Sequence, residues 1–477
     1  MQVFDSNVQE LKYKVLREVA RHTWEGNDVF SMFNEIAREV VRRDNIPMRC
    51  CIYKDRAIVA DRIRIALGGN RKNPNIVEVI DIACDECPAA GNKVTELCRG
   101  CIAHKCESAC KVGAIYYDDE LKAHIDKKKC VECGRCAKVC PYNAIVNFER
   151  PCEKACPPKA IHMAETGEAT IDHDKCTACG SCIKRCPFGA PQDKSRITDV
   201  IHLIMDRKIG TGAPVHAIVA PAVAAQFKGA TPGQMVTALK ELGFEDVWEA
   251  ALGADVVAYQ EAEELEEKGF LTTSCCPAFV NYIEQSYTEM KDKISGTPSP
   301  MAVTGRMIKE KHPEAKVVFI GPCTAKKSEV QRPEVSEHVD FVITFEELNA
   351  LLDSKDIDIL SLEEQHTADA SIFGRKFAKS GGVAAAVKQA LKEKGSTFEV
   401  KEIACPGLSK CKPVLRAASK GKSPFNLIEG MACAGGCIGG AGCQAHDDDA
   451  EARVDSHGKA SPFGTIGESL VEMGQFK

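Results

Sequence analysis

The chain has 477 residues, 44% of them hydrophobic and 27% charged, with a formal net charge of −6. That length exceeds a single hydrophobic core, so about two to four domains are expected. The acidic balance argues against a nucleic-acid binder, and no apolar run approaches the ~18 residues of a membrane span.

The outlier is cysteine, with 26 residues, most of them in C-x2-C arrays. The N-terminal stretch MQVFDSNVQELKYK lacks the basic start and apolar run of a secretory signal. A cytoplasmic chain keeps its thiols reduced, so the arrays read as metal ligands rather than disulfides. Residues 1–80 read as a small helical segment. Leu11, Val15, Leu16 and Val19 recur at helical spacing across residues 8–20. A second helix is expected across residues 29–42, ending before Pro47. Adjacent Cys50 and Cys51 diverge in any regular backbone and read as ordinary thiols.

Residues 81–198 read as an α+β ferredoxin-like domain, with 16 cysteines in about 100 residues. Two runs share one spacing: Cys130, Cys133, Cys136, Cys140-Pro141 and Cys176, Cys179, Cys182, Cys186-Pro187. Such a C-x2-C-x2-C-x3-C-P repeat wraps three thiolates around one 4Fe–4S cubane and sends the fourth to its neighbour. Zinc would ask for two separated pairs. A variant run, Cys98, Cys101, Cys106 and Cys110, precedes them. Crossed ligation then predicts one cluster on Cys98, Cys101, Cys106 and Cys140, and a second on Cys130, Cys133, Cys136 and Cys110. A third falls to Cys176, Cys179, Cys182 and Cys156. Cys84, Cys87, Cys152 and Cys186 remain, either as a fourth cluster or with Cys84 and Cys87 as a structural or zinc-binding pair. Three to four cubanes in a row make an electron path. The lysines around it, Lys127 to Lys129 among them, suit an acidic carrier.

From residue 199 to 477 short apolar strands alternate with amphipathic helices. Strands are expected at 215–219, 317–320, 341–343 and 400–404, and helices at 231–242, 301–311, 345–352 and 383–394. This is the pattern of an α/β domain with mainly parallel sheets, arranged here as two lobes flanked by helices. Ligands of such sheets bind beyond the carboxyl ends of the strands, where Cys276 and Cys323 are expected to lie. No GxGxxG or GxxxxGK[ST] motif occurs to support a nucleotide.

Three segments of this half, TSCCPAF (273–279), PCTAKK (322–327) and MACAGGCIGG (431–440), resemble the signature segments of the [FeFe]-hydrogenases. Their order and their position behind a ferredoxin-like domain agree, and the likeness extends over roughly residues 95–445. The resemblance implies an H-cluster, a 4Fe–4S cubane joined through one thiolate to a diiron site bearing CO, CN and an azadithiolate. By position the cubane ligands would be Cys276, Cys323, Cys433 and Cys437, with Cys437 as the bridge. Lys326 would donate to a cyanide, and Met431, Phe377, Ala220 and Pro221 would line the pocket. Cys275 would be the first proton-relay group, followed by Glu261 and Glu264, three apart on one helix face.

The implied activity is reversible reduction of protons to H2, with electrons from a ferredoxin-type carrier and maturation proteins that deliver the diiron site. Four departures stand out. Ile308 falls where the family carries a serine between the relay carboxylates, Gly321 where it carries a methionine, and Ala222 where it carries a serine. Cys443 is extra; with Cys405 and Cys411 it reads as an inert thiol. The competing readings are a catalytically silent hydrogenase-like iron–sulfur assembly or scaffold protein, and an H2 sensor. Scaffold relatives typically lack the Cys-Cys pair and the second-segment lysine, both present here.

Overall fold

The computed structural model describes residues 4–44, 46–366 and 370–474. Helix α1 (Asn7–Trp24) starts at Ser6, whose hydroxyl accepts the Gln9 N–H, and buries Tyr13, Val15, Leu16 and Val19. Helix α2 (Phe33–Val40) is shorter than expected, because Asp28 accepts the Phe30 N–H (3.1 Å) and spends residues 28–31 on a turn. A third helix, α3 (Ile52–Ala66), was not expected. Its apolar periodicity is masked by Asp55 and Arg62, which are buried among the aliphatic positions.

The ferredoxin-like part is built from two-stranded antiparallel ribbons: Val77–Val79 with Pro191–Asp193, Gly91–Val94 with Ile145–Phe148, Ile115–Tyr117 with Ala123–Ile125, and Ile161–Met163 with Ala169–Ile171. The first ribbon ties the start of this part to its end and brings the residues just before 81 into it. One-turn helices separate the ribbons. Those at Lys105–Ser108, Arg135–Val139 and Ser181–Arg185 each follow a left-handed residue: His104, Gly134 and Gly180.

The remaining half holds two all-parallel sheets. One has four strands in the order Asp246–Glu249, Val215–Val219, Lys316–Gly321, Phe341–Thr344; the other has three, Leu271–Thr272, Leu427–Met431, Glu402–Pro406. The 19-residue helix Ala250–Lys268 packs against helices Pro300–Lys311 and Gly382–Glu393. The strand expected at 400–404 lies two residues later, since its ladder pairs Glu402 with Leu427 through Pro406 with Met431. Among the described residues no helix is long and apolar enough to cross a membrane.

Candidate active site and cluster sites

Ligand-type thiols group in the ferredoxin-like part as wide sets. Cys136 has Cys130 and Cys110 as electrostatic neighbours, and Cys176 has Cys179 and Cys156. Cys152 faces Cys186 and Cys84, while Cys87 faces Cys84 and Cys186, so the upstream pair joins the two leftover cysteines. Cys101 and Cys106 both lie beside Tyr117, and Cys98 and Cys106 pack against the small apolar cluster of Ile115, Ala123, Cys136 and Ile145.

Three of the cysteines that end a run share a further feature. Ala114 N–H donates to Cys110 Sγ (3.2 Å), Ala144 N–H to Cys140 Sγ (3.4 Å) and Ala160 N–H to Cys156 Sγ (3.2 Å). Amide bonds of this kind are one of the levers that set cluster potentials. Among the described residues no three His, Cys, Asp or Glu side chains close on a single ion.

In the second half, both sheets direct strand ends at one cavity. Cys276 leads the helix Pro277–Ser286 beyond Leu271–Thr272, Cys323 follows Lys316–Gly321, and Cys433 and Cys437 follow Leu427–Met431. The cavity holds about 90 Å³ and is lined by Cys275, Cys276, Cys323 and Cys437 together with Lys326, Met431, Phe377, Ala220 and Pro221. Cys433 stands behind this wall, with Cys323, Cys276 and Cys437 as its neighbours. So small a space cannot take an organic substrate, which needs some 300 Å³ or more. Larger cavities of about 610 and 720 Å³ lie elsewhere; the first shares only Ala220 and Pro221 with this one.

The donor set fits an iron cluster. Burial pushes the Cys323 thiol up to about 12 and raises Cys276, Cys433 and Cys437 as well. Thiols so placed keep their protons at neutral pH until a soft metal displaces them and compensates the thiolate charge. Lys326 is buried with them. Burial works against its charge, but Glu329 accepts from its Nζ (2.5 Å) and holds its pKa above the usual lysine value. The ammonium group thus adds fixed positive charge to an otherwise apolar cavity.

Leading away from the cavity is a file of titratable groups. Cys275 has Glu261 as its first electrostatic neighbour, and burial lifts its thiol well above the ordinary range. Glu261 is fully buried on the helix Ala250–Lys268; burial raises its carboxyl to about 7. Its Oε1 accepts from Ser274 N–H (3.1 Å) and Ser274 Oγ (3.3 Å), and its Oε2 has no partner at hydrogen-bonding distance. One turn on, Glu264 accepts from Ser295 Oγ (2.7 Å), Gly296 N–H (2.9 Å) and Lys268 Nζ (2.5 Å). Burial opposes its charge, yet these donors hold it below the usual glutamate value. Ser295 lowers the pKa of both glutamates, so its hydroxyl stands between them.

This corrects the expectation for Ile308. That residue is fully buried in the apolar core, and the hydroxyl between the carboxylates comes from Ser295. Ser295 is held there by its N–H to Thr272 O (2.8 Å) and by a parallel bridge pairing Thr272 with Ile294.

The other departures also have structural counterparts. A Cβ at Gly321 would sit 2.6 Å from the Phe319 ring, so that ring fills the space a longer residue would claim. Ala222 lines the cavity without offering a donor. Cys443 Sγ donates to Ile438 O (3.3 Å), and Cys411 Sγ to Cys405 O (3.2 Å); all three thiols are buried. The ferredoxin-like part meets this site directly. Thr324 Oγ1 donates to Ala178 O (2.7 Å), Lys184 Nζ to Gly439 O (2.9 Å), and Cys179 is an electrostatic neighbour of Cys433. Gly180, at φ +73°, permits the approach: a Cβ there would come within 2.4 Å of Ala441 Cβ.

Comparison with known proteins agrees with this arrangement. Residues 213–441 match the family described as iron only hydrogenase large subunit, C-terminal domain, and residues 97–144 and 150–190 match a 4Fe-4S dicluster domain. Iron hydrogenase 1 of Clostridium pasteurianum is 30% identical over 377 residues, covering 69% of this chain and 66% of that protein. The cytosolic Fe-S cluster assembly factor NAR1 of Kluyveromyces lactis is 38% identical over 96 residues, 20% of each chain. A solved [FeFe]-hydrogenase structure, described in connection with oxygen inactivation of its H cluster, superposes with a TM-score of 0.50 at 21% identity. It covers 58% of this chain and 93% of that one, and shares the fold over that part. The chain is an iron-only hydrogenase-like protein carrying iron–sulfur domains.

Proposed function

We propose that this chain is an [FeFe]-hydrogenase catalysing 2H⁺ + 2e⁻ ⇌ H2. The observation that carries the reading is the meeting of three features at one cavity: converging thiols, a buried lysine, and a file of titratable groups leading outward. Cys276, Cys323, Cys433 and Cys437 would hold the cubane of an H-cluster. Once bound, the diiron site with its CO, CN and azadithiolate ligands supplies the proton and hydrogen redox chemistry.

The protein's own groups would do the rest. Lys326 would donate to an anionic ligand in the cavity, where Met431, Phe377, Ala220 and Pro221 exclude water. Glu264, beside Lys268 at the outer end, would take a proton from solvent. Ser295 Oγ would pass it to Glu261, and Glu261 would reprotonate Cys275, the last donor before the cavity. A carboxyl with a pKa near 7 is suited to exchange protons in both directions at neutral pH. Electrons would enter through cubanes on the sixteen cysteines of the ferredoxin-like part from a cytoplasmic ferredoxin-type carrier and leave it beside Cys179.

A second reading, an iron–sulfur assembly or scaffold protein, draws on the local likeness to NAR1. A scaffold has no need for a buried file from Glu264 to Cys275, which favours the enzyme. The deciding test is infrared spectroscopy of protein matured with the diiron cofactor, coupled to viologen-linked H2 turnover. Metal-bound CO and CN bands together with turnover are expected. Their absence in protein with full cubane iron would leave the scaffold reading standing.

A further inference from the structure

The N-terminal helix α1, which lies outside both family-matched regions, bonds to the chain six residues after Cys437 and, through Asp193, to Lys327 four residues after Cys323. Gln9 Nε2 donates to Cys443 O (3.1 Å) and to Glu346 Oε1 (2.9 Å). One turn along, Lys12 Nζ reaches Asp193 Oδ1 (2.5 Å) and Glu346 Oε2 (2.7 Å). The other oxygen of Asp193 takes Lys327 Nζ (2.7 Å), which also binds Glu347 Oε2 (2.7 Å) and Lys194 O (2.7 Å). Lys327 adjoins Lys326 and lies four residues after Cys323.

None of these five charged residues is more than 6% exposed. Two ammonium groups are therefore set against three carboxylates away from water, where removing one partner is costly and its charge is felt at a distance. Glu346 is already felt at the Cys443 thiol, as Cys323 is.

We infer that Lys12 is a positioning residue for the cubane site. By binding Asp193 and Glu346 it keeps Lys327, and with it the turn from Cys323 to Lys326, in place, and it balances buried negative charge beside the cluster. The inference rests on the reading that Cys276, Cys323, Cys433 and Cys437 hold a cubane, but not on hydrogen turnover. Without Lys12 the network keeps three carboxylates and one ammonium group, and the added negative field makes the cubane harder to reduce.

The test is an EPR-monitored redox titration of the full chain reconstituted with iron and sulfide, in which the signal lost in Cys323→Ser identifies this cubane. Lys12→Met is expected to move its midpoint to more negative potential, Lys12→Arg to restore it, and Glu346→Gln, which removes a carboxylate, to move it the opposite way. A wild-type midpoint in Lys12→Met, even with a lowered melting temperature, overturns the inference and leaves α1 a brace only. Should Lys12→Met fail to fold, a Glu346→Gln shift to more negative potential overturns it as well. If Cys323→Ser loses no signal, the cubane reading fails too; an insensitive cubane refutes this inference alone.

Discussion

Glu261→Gln probes the buried carboxyl in two independent ways. Burial raises Glu261 from 4.5 to about 7, a displacement equivalent to roughly 3 kcal/mol. The unfolded chain releases this proton near 4.5 and the folded chain near 7, so between those values the folded state binds more protons. Stability therefore falls as pH rises through that window, and the full penalty of about 3 kcal/mol is present above it. Glutamine cannot ionise. The variant should lose this slope and, at pH 8, gain up to about 3 kcal/mol, less the ~1 kcal/mol of any weakened hydrogen bond to Ser274. Its amide oxygen can still accept the Ser274 N–H, which keeps the local geometry. Proton delivery, by contrast, should drop by about 10²–10⁴-fold. Thermal melts of metal-free protein between pH 4.5 and 8 read the first effect. Viologen-linked H2 evolution, with cofactor loading checked by infrared bands, reads the second. A variant with full turnover refutes the relay; melts that parallel wild type across the window refute the raised carboxyl.

Four further substitutions test neighbouring parts of the same account. Ser295→Ala removes the hydroxyl between the carboxylates and should cut turnover by about 10²-fold with unchanged infrared bands, while Ile308→Ser, buried in the core, should alter stability but not proton delivery. Cys275→Ala should abolish most turnover and leave the bands in place, because that thiol is assigned to proton transfer and not to metal. Gly180→Ala places a Cβ against Ala441 and Thr324 and forces the Cys179 loop away from Cys433. Reduction of the cubane site by electrons entering at the ferredoxin-like part should slow in stopped-flow measurements, with the bands unshifted; an unchanged rate would show that this contact does not control transfer.

What could be read from the amino-acid sequence is what chain spacing encodes locally. The cysteine runs were legible because three ligands of one cubane sit within seven residues; Glu261 and Glu264 were singled out by the family resemblance, and helical spacing adds only that positions three apart share one face. Four strands were legible as apolar runs, but Leu427–Met431 was not, since Glu429 and Gly430 interrupt it. The structure gives a reason for each. Glu429 is a buried carboxyl group that accepts from Gly381 N–H (2.6 Å) and Ala384 N–H (2.8 Å) at the start of the helix Gly382–Glu393, and a Cβ at Gly430 would meet the Phe279 ring at 2.2 Å.

Ser295 escaped for a different reason. No local pattern marks it, and it reaches the two glutamates through the bridge that sets Ile294 beside Thr272. Ile308, the position on the Pro300–Lys311 helix where the resemblance would put that hydroxyl, faces the other core. Lys327 makes the same point from the opposite side. Beside Lys326 it looks like a spare surface lysine, but it closes a buried network with Asp193, Glu347 and, through Asp193, with Lys12, which lies 315 positions earlier in the chain. A metal-ligand run can be recognised because its geometry is fixed before the chain folds. A proton relay or a charge network is assembled by tertiary encounters, and its members need only the right functional group at the right place.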